Sequence, residues 1–442
     1  MRATVIGAGL AGCEAAWALA RRGIAVTLCE MKPQRYSPAH HNPGFAELVC
    51  SNSLKADRLG SAAGLLKAEM EAMGSLIVRA ARKCAVAAGG ALAVDREEFS
   101  RRITGEILGH PNITVSYGEC TALPAEGPVV VATGPLTSEA LCDEITRLTG
   151  AERLSFYDAA APIVTFESVD MSRAFFAARY GRGEDDYINC PMNREEYERF
   201  YDALVSAERA PLHTFDRMTV YEGCMPVEVL ASRGRDSIRF GPLKPVGLTD
   251  PATGRRPWAV VQLRRENREG TMYNLVGFQT NLKFGEQKRV FSMIPGLERA
   301  EFVRYGVMHR NTFLDSPRLL DGRMRLKSQP RIRFAGQITG VEGYIESAMS
   351  GIFAGLDLAR ELHGEPPLSL PPVTMSGALL RYVSDPNIRD FQPMGCNMGL
   401  LPPLEETVRD KQARYLALAR RSLAALEQAV AAEECSSGRE TV

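Results

Sequence analysis

The chain has 442 residues and ten cysteines, yet no two cysteines stand in a Cys-x-x-Cys pair, and its six histidines are scattered. Neither residue type shows the ligand spacing of a structural zinc site, so no metal is expected. The missing dithiol motif also argues against disulfide-reductase chemistry. No run reaches the roughly 18–20 apolar residues that a membrane span requires. Charge of one sign is not in excess: 53 basic and 53 acidic residues cancel, which disfavours a generic polyanion binder and turns attention to local clusters. Internal repeats and low-complexity tracts are lacking. The N-terminus enters a strand directly with no leader pattern, which predicts a cytoplasmic protein with mostly reduced cysteines. The 45% hydrophobic content is ordinary for a globular chain, and the length predicts two or three domains.

What is present begins at once. A strand over residues 3–6 runs into Gly7-Ala8-Gly9-Leu10-Ala11-Gly12, then a helix ended at Gly23, then a second strand closing on Glu30. Gly7 suits the tight turn, Gly9 lets the backbone approach a pyrophosphate, and Gly12 lets helix and strand pack closely. Free N–H groups at the helix start favour negative charge. Glu30 is placed to accept from a ribose diol. Two later glycine turns extend the pattern. Gly134 follows a strand over 129–132, and Gly336-Gln337 follows a strand over 331–335 and precedes a helix over 344–362. Small residues in that helix (Ala348, Gly351, Gly355, Ala359) suit close packing, under a flat ligand or against the sheet. A dinucleotide site drawing on so much of the chain fits FAD better than NAD, because the isoalloxazine end must be held by distant segments.

The intervening sequence changes character. Short β-type runs at 162–166, 218–221, 259–263 and 273–278 are broken by turns, with one helix over 194–207. The predicted fold is therefore α/β: a Rossmann-like FAD-binding fold of the glutathione-reductase type with an inserted α+β domain. The expected boundaries are 1–155 for the first part, 156–310 for the insertion, and 311–442 for the second part with C-terminal helices over about 404–432.

Two cysteines stand out by their polar, turn-like settings: Cys50 in Val-Cys-Ser-Asn-Ser-Leu and Cys224 in Tyr-Glu-Gly-Cys-Met-Pro-Val-Glu. An ordinary thiol with a pKa near ~8.5 is only slightly ionised at neutral pH, so a reactive one needs a cationic neighbour or base. His309 and Tyr344 could supply aromatic faces beside a flavin. Residues 323–333 carry five cations and no acid, including Arg323, Arg325, Lys327 and Arg331. Arg255, Arg256, Arg264, Arg265 and Arg268 form a second cluster around Glu266. Charge alone leaves both clusters open as solvated surfaces or nucleic-acid contacts.

Taken in order, residues 5–12, 50–54 (Cys-Ser-Asn-Ser-Leu), 221–228, 278–282, 309–313 (His-Arg-Asn-Thr-Phe) and 340–347 closely resemble the bacterial FAD- and folate-dependent tRNA (uracil-5-)-methyltransferases. The resemblance runs from the first strand to about residue 404. It implies FAD reduced by NADH or NADPH, a methylene unit taken from 5,10-methylenetetrahydrofolate, and its transfer and reduction at C5 of uridine 54 in the tRNA T-loop. It implies Cys224 as the thiolate that adds to uracil C6 and Cys50 as an assisting base or second thiol, with the reverse assignment open. His309 and Tyr344 would then stack the folate pterin, and Arg323, Arg325, Lys327 and Arg331 would hold tRNA phosphates, those four named from local charge alone. No membrane and no obligatory protein partner are implied. Three readings compete: a flavin oxidoreductase acting on a small molecule, an RNA-binding flavoprotein with inert cysteines, and wobble-uridine modification.

Overall fold

The computed structural model describes residues 1–150, 154–159, 161–181, 186–210, 225–267, 269–306, 308–389 and 391–437. The expected strand at 218–221 lies outside them.

β1 (Arg2–Ile6), α1 (Leu10–Arg21) and β2 (Ala25–Glu30) form the anticipated βαβ unit. β1 pairs in parallel with β2 on one side and with Val129–Val131 on the other, so Val5 lies between Leu28 and Val130. The complete sheet has six strands in the order Arg325–Leu326, Gln329–Phe334, Val129–Val131, β1, β2, Ile113–Tyr117. Val5, Leu28, Val129, Val130, Val131 and Ile332 are buried, as expected of a parallel sheet covered on both faces. The strand order reverses direction at β1, and a crevice opens there at the carboxyl ends of the strands.

The helix Tyr344–His363 packs along α1. A Cβ on Gly351 would overlap the Ala11 carbonyl oxygen, and one on Gly355 would lie 2.7 Å from that of Ala15. Gly351 and Gly355 therefore serve helix–helix contact with α1, rather than support of a flat ligand or contact with the sheet. The C-terminal helix runs over Lys411–Ser437 and starts later than expected. Asp410 accepts the Ala413 N–H at 2.7 Å and so caps the helix at this point.

The central region forms a second six-stranded sheet, antiparallel throughout, in the order Phe175–Phe176, Tyr187–Met192, Ala259–Arg265, Met272–Leu275, Ile163–Thr165, Phe302–Arg304. The helix Arg194–Ser206 carries a capping box between Asn193 and Glu196. Two further helices, Val227–Ala231 and Phe284–Phe291, were not expected. This region has its own core, with Phe200, Phe278 and Phe291 fully buried, separate from the core around the parallel sheet. An antiparallel ribbon of Leu154–Ala159 with Met308–Phe313 joins the two. A small sheet of Ser53–Ala56, Ala91–Val94 and Ala85–Val86 follows the Cys50 loop. Among the described residues, no helix is long and apolar enough to cross a membrane, and no cluster of side chains could hold a metal.

Candidate active site

The crevice is a cavity of about 440 Å³. Its wall holds the whole glycine turn from Gly7 to Ala11, together with Glu30, Gly134, Gly336 and Gln337. Segments separated by more than 300 residues thus meet as the sequence predicts.

Each glycine has its own reason. Gly7 has φ +96° and a Cβ there would lie 2.7 Å from the Ala132 carbonyl oxygen, so the turn requires its absence. Gly9 has ordinary backbone angles and no heavy atom within 4 Å of its notional Cβ, which marks open space beside the helix start. Gly12 stands outside the cavity, where a side chain would overlap the Gly7 carbonyl.

The Glu30 carboxylate is buried; one oxygen accepts the Ala8 N–H at 2.7 Å and the other the Lys32 N–H at 2.9 Å. Each oxygen retains a lone pair, so the group remains able to accept from a diol. Gln337 donates to Glu342 at 2.7 Å and is thereby oriented. A positively polarised helix start, an open glycine and a fixed buried carboxylate fit an adenine dinucleotide.

At the other side of the cavity stands Cys50. Its Sγ is 3.0 Å from the Tyr344 hydroxyl, which also accepts the N–H of Cys50 at 2.8 Å and of Ser51 at 3.3 Å. Burial pushes the Tyr344 phenol well up, and the neighbouring Cys50 reinforces this. The phenol therefore keeps its proton. With both oxygen lone pairs engaged by backbone donors, that proton points to the sulfur.

The cationic neighbours a reactive thiol needs are also present. Arg96 donates to the Leu48 and Val49 carbonyls at 2.8 and 2.9 Å, and Arg304 binds the Val49 carbonyl too. Arg264 donates to Ser51 Oγ at 2.7 Å and to Asn52 Oδ1 at 3.1 Å. Burial lowers the pKa of both Arg264 and Arg304. Glu266 pairs with Arg96 and neutralises one of the three. Asn52 is fully buried and ties the loop to both cores, donating at 3.0 Å to Val94 O and to Arg265 O. The loop thus has the electropositive, partly exposed character of reactive cysteines. Arg264, expected on a basic surface, belongs here.

Cys224 lies outside the described residues. The chain after it is anchored to the cavity, because Val227 N–H donates at 2.7 Å to the carbonyl of Gln279, a lining residue. His309 lies on the strand Met308–Phe313, in register with Asp158; its side chain is outside the description.

The basic run requires correction as a free cationic patch. It forms the edge hairpin of the parallel sheet, and three of its five cations are matched by carboxylates. Arg323 binds Asp357 at 3.0 Å and Glu361 at 2.9 Å, and Arg325 binds Asp321 at 2.8 Å. Buried Arg333 bridges Asp357 and Glu361. Lys327 donates to the Pro317 and Arg318 carbonyls, and Arg331 to that of Pro124. The helix Tyr344–His363 supplies Asp357 and Glu361, which a local reading of 323–333 cannot see.

Sequence reasoning missed Lys55 and the pair Cys29 and Cys120, all in the cavity wall. Lys55 has φ +64°, and its Nζ binds Glu346 at 2.5 Å. A hydrogen bond from Cys29 pulls the Cys120 thiol down to about 7. Lys55 adjoins the Cys-Ser-Asn-Ser-Leu motif, the one signal that could have flagged it.

Comparison with known proteins identifies relatives of this chain. The family described as glucose inhibited division protein A matches residues 2–366. The chain is 61% identical over 419 residues to the methylenetetrahydrofolate--tRNA-(uracil-5-)-methyltransferase TrmFO of Moorella thermoacetica, covering 95% of this chain and 96% of that one. It is 59% identical over 433 residues to the enzyme of the same name from Desulforamulus reducens, covering 98% of each. Among solved structures, Aquifex aeolicus GidA in its form I crystal superposes with a TM-score of 0.69 at 17% identity, over 98% of this chain and 78% of that one. The fold is thus GidA-like.

Proposed function

The chain belongs to the glucose inhibited division protein A family and is a folate-dependent tRNA (uracil-5-)-methyltransferase, and we propose that it methylates uridine 54 of the T-loop using FAD, 5,10-methylenetetrahydrofolate and NADH or NADPH. One observation carries this reading: Cys50, bound by the Tyr344 phenol and ringed by arginines, lies in the wall of the dinucleotide cavity.

Gly7 to Ala11, the start of α1 and Glu30 would hold the adenosine and pyrophosphate of FAD, while Gly336, Gln337 and the start of the helix Tyr344–His363 would face its ring. When bound, FAD supplies a carrier for the one-carbon unit and the hydride that reduces it to methyl.

The thiols supply what a flavin does not. Uracil C5 is a poor nucleophile. Addition of the Cys224 thiolate to C6 places electron density on C5, which then attacks the electrophilic methylene carbon. The C5 proton must leave to a base as the bond from the methylene to its carrier breaks, and addition of the hydride to the resulting exocyclic methylene would expel the thiolate and restore the ring. Cys50 is suited to the base role. The Tyr344 O–H and the arginine ring stabilise its thiolate, and protonation converts it to the neutral thiol beside a donor it already shares. Both faces of the uracil must be reached, so the nucleotide is flipped out of the loop stack. Tyr344 presents its ring to the cavity while its hydroxyl is held at Cys50, and His309 is proposed as its partner around the pterin.

The basic run is a weak candidate for tRNA contact in view of its internal pairing. The cytoplasm is the compartment this chemistry requires, since tRNA and reduced nicotinamide meet there.

The test is incubation of the purified protein with tRNA transcript, NADH or NADPH and methylene-labelled tetrahydrofolate, followed by nucleoside analysis. Label in 5-methyluridine at position 54, absent in Cys224→Ala, is the expected result. Unlabelled tRNA from a yellow, reducible protein would overturn the reading in favour of small-molecule oxidation.

A further inference from the structure

The central region contains a run of aromatic contacts that leads from its core to the surface. Fully buried Phe200 meets Phe278 (6.1 Å between ring centroids), Phe278 meets Phe291 (5.3 Å), and Phe291 meets Phe302 (6.5 Å). From Phe302 the rings become parallel: Tyr305 stacks on it at 5.3 Å and 12°, and Phe284 stacks on Tyr305 at 5.1 Å and 18°. Phe284 ends the series with 55% of its surface exposed.

A single exposed apolar ring is ordinary on a protein surface; this one is set apart by the stack that backs it. Its remaining face is a flat π surface whose orientation is fixed by the five rings behind it.

Three features indicate what covers it. First, the platform is continuous with the candidate active site: the strand Phe302–Arg304 holds the inner ring Phe302, and its Arg304 binds the Val49 carbonyl beside Cys50. Second, the segment joining cavity to platform is short, running from Gln279 in the cavity wall to Phe284. Third, Lys288 lies one turn from Phe284 on the same face of the helix Phe284–Phe291, and it has no ion-pair partner among the described residues. A rigid stacking surface with a phosphate-seeking cation at its side is the combination used to hold unstacked nucleotides.

We propose that Phe284, backed by Tyr305 and Phe302 and assisted by Lys288, is a stacking platform for an unpaired base of the RNA substrate. This rests on the tRNA reading above. It gives the flipped-out conformation a structural counterpart: a base displaced from the loop gains a protein ring in place of its lost neighbour.

The experiment measures binding of an unmodified tRNA transcript to the FAD-loaded full-length chain by fluorescence anisotropy, alongside methyl transfer. Phe284→Leu keeps an apolar side chain and removes the π face; it should weaken tRNA binding on the order of 10-fold. Phe284→Trp should bind as well as wild type or better. Lys288→Gln should lower the salt dependence of binding by about one contact. The flavin spectrum and thermal midpoint, read on the same samples, should stay at wild-type values in all three. If wild type binds and methylates tRNA while Phe284→Leu binds equally well, the platform is overturned and the function stands. If wild type does neither, the functional reading falls and the platform with it. If Phe284→Leu instead changes the sedimentation of the RNA-free protein, the ring is a contact between copies of this chain and the RNA assignment is overturned.

Discussion

The phenol oxygen of Tyr344 is 3.0 Å from Sγ of Cys50 and 2.8 Å from the backbone nitrogen of the same residue, so one side chain fixes both the sulfur and the chain that carries it. Tyr344→Phe removes the donor to sulfur and leaves two N–H groups without their acceptor, at about 1–3 kcal/mol each where they are buried. Alkylation of Cys50 by iodoacetamide at pH 7, followed by peptide mass spectrometry, should slow several-fold relative to wild type. Methyl transfer should fall on the order of a hundredfold, as when one preorganised donor is removed from a reacting centre. Flavin content should not change. An unaltered alkylation rate would show that the phenol does not activate the thiol.

Gly7 and Gly9 stand two residues apart and should fail in different ways. Gly7→Ala meets a carbonyl oxygen at 2.7 Å in a left-handed conformation, so it should destabilise the fold by about 1–3 kcal/mol. Gly9→Ala meets nothing within 4 Å at φ −75° and should leave the apoprotein within about 0.5 kcal/mol of wild type. Its methyl group should nevertheless weaken FAD binding at least tenfold, because it occupies the space where the pyrophosphate approaches. Thermal midpoints of apoprotein and flavin titration separate the two effects. Equal destabilisation by both substitutions would remove Gly9 from the cofactor site.

That contrast shows what the sequence made legible. The βαβ unit is local: turn, helix and carboxylate lie within thirty residues, and each constraint is written in the residue that meets it. The expected helix over 194–207 forms as Arg194–Ser206, and its Asn193 and Glu196 cap is likewise local. The helix Leu76–Lys83 was not foreseen, although Ser75 caps it, because much of its N-terminal support is tertiary: Glu14 of α1 accepts from Leu76 N and Ile77 N at 3.0 and 2.9 Å. The turn-like setting of Cys50 was readable, but its three arginines come from distant segments and only folding shows that they converge. The internal pairing of the basic run was not readable for the converse reason. Its cations cluster conspicuously, while Asp357 and Glu361, which pair with Arg323, Arg325 and Arg333, sit on a helix some thirty residues later.

Glu14 makes neutral pH a variable of stability. Burial raises its carboxyl from the usual 4.5 to about 7, against the hydrogen bonds from Ser75, Ile77 and Leu76 that favour the ionised form. An acid whose folded pKa is raised binds its proton more tightly when folded. Its stabilising contribution is complete below pH 4.5 and is lost as the pH climbs to 7, on the order of 3 kcal/mol in all. The wild-type thermal midpoint should therefore fall between pH 5 and pH 8 more steeply than that of Glu14→Gln, which cannot titrate. Parallel slopes would show that helix capping keeps Glu14 ionised in the folded state throughout this range.

Arg325 decides whether the basic run contacts RNA. It is one-quarter exposed, binds Asp321 at 2.8 Å and lies 3.6 Å from Glu361. Burial pushes Glu361 up, but Arg333, Arg323 and Arg325 together hold it below the usual carboxylate range. A guanidinium engaged by two carboxylates gains little from a phosphate, because it must give up partners of the same charge to reach it. Arg325→Gln should therefore change tRNA affinity less than about twofold and leave the slope of log affinity against log salt intact. Its cost should fall on the fold, at about 0–1 kcal/mol for so exposed a pair, read as a lower thermal midpoint. A salt slope reduced by about 0.7–0.9, with unchanged stability, would mean instead that the acids release this arginine to the RNA on binding.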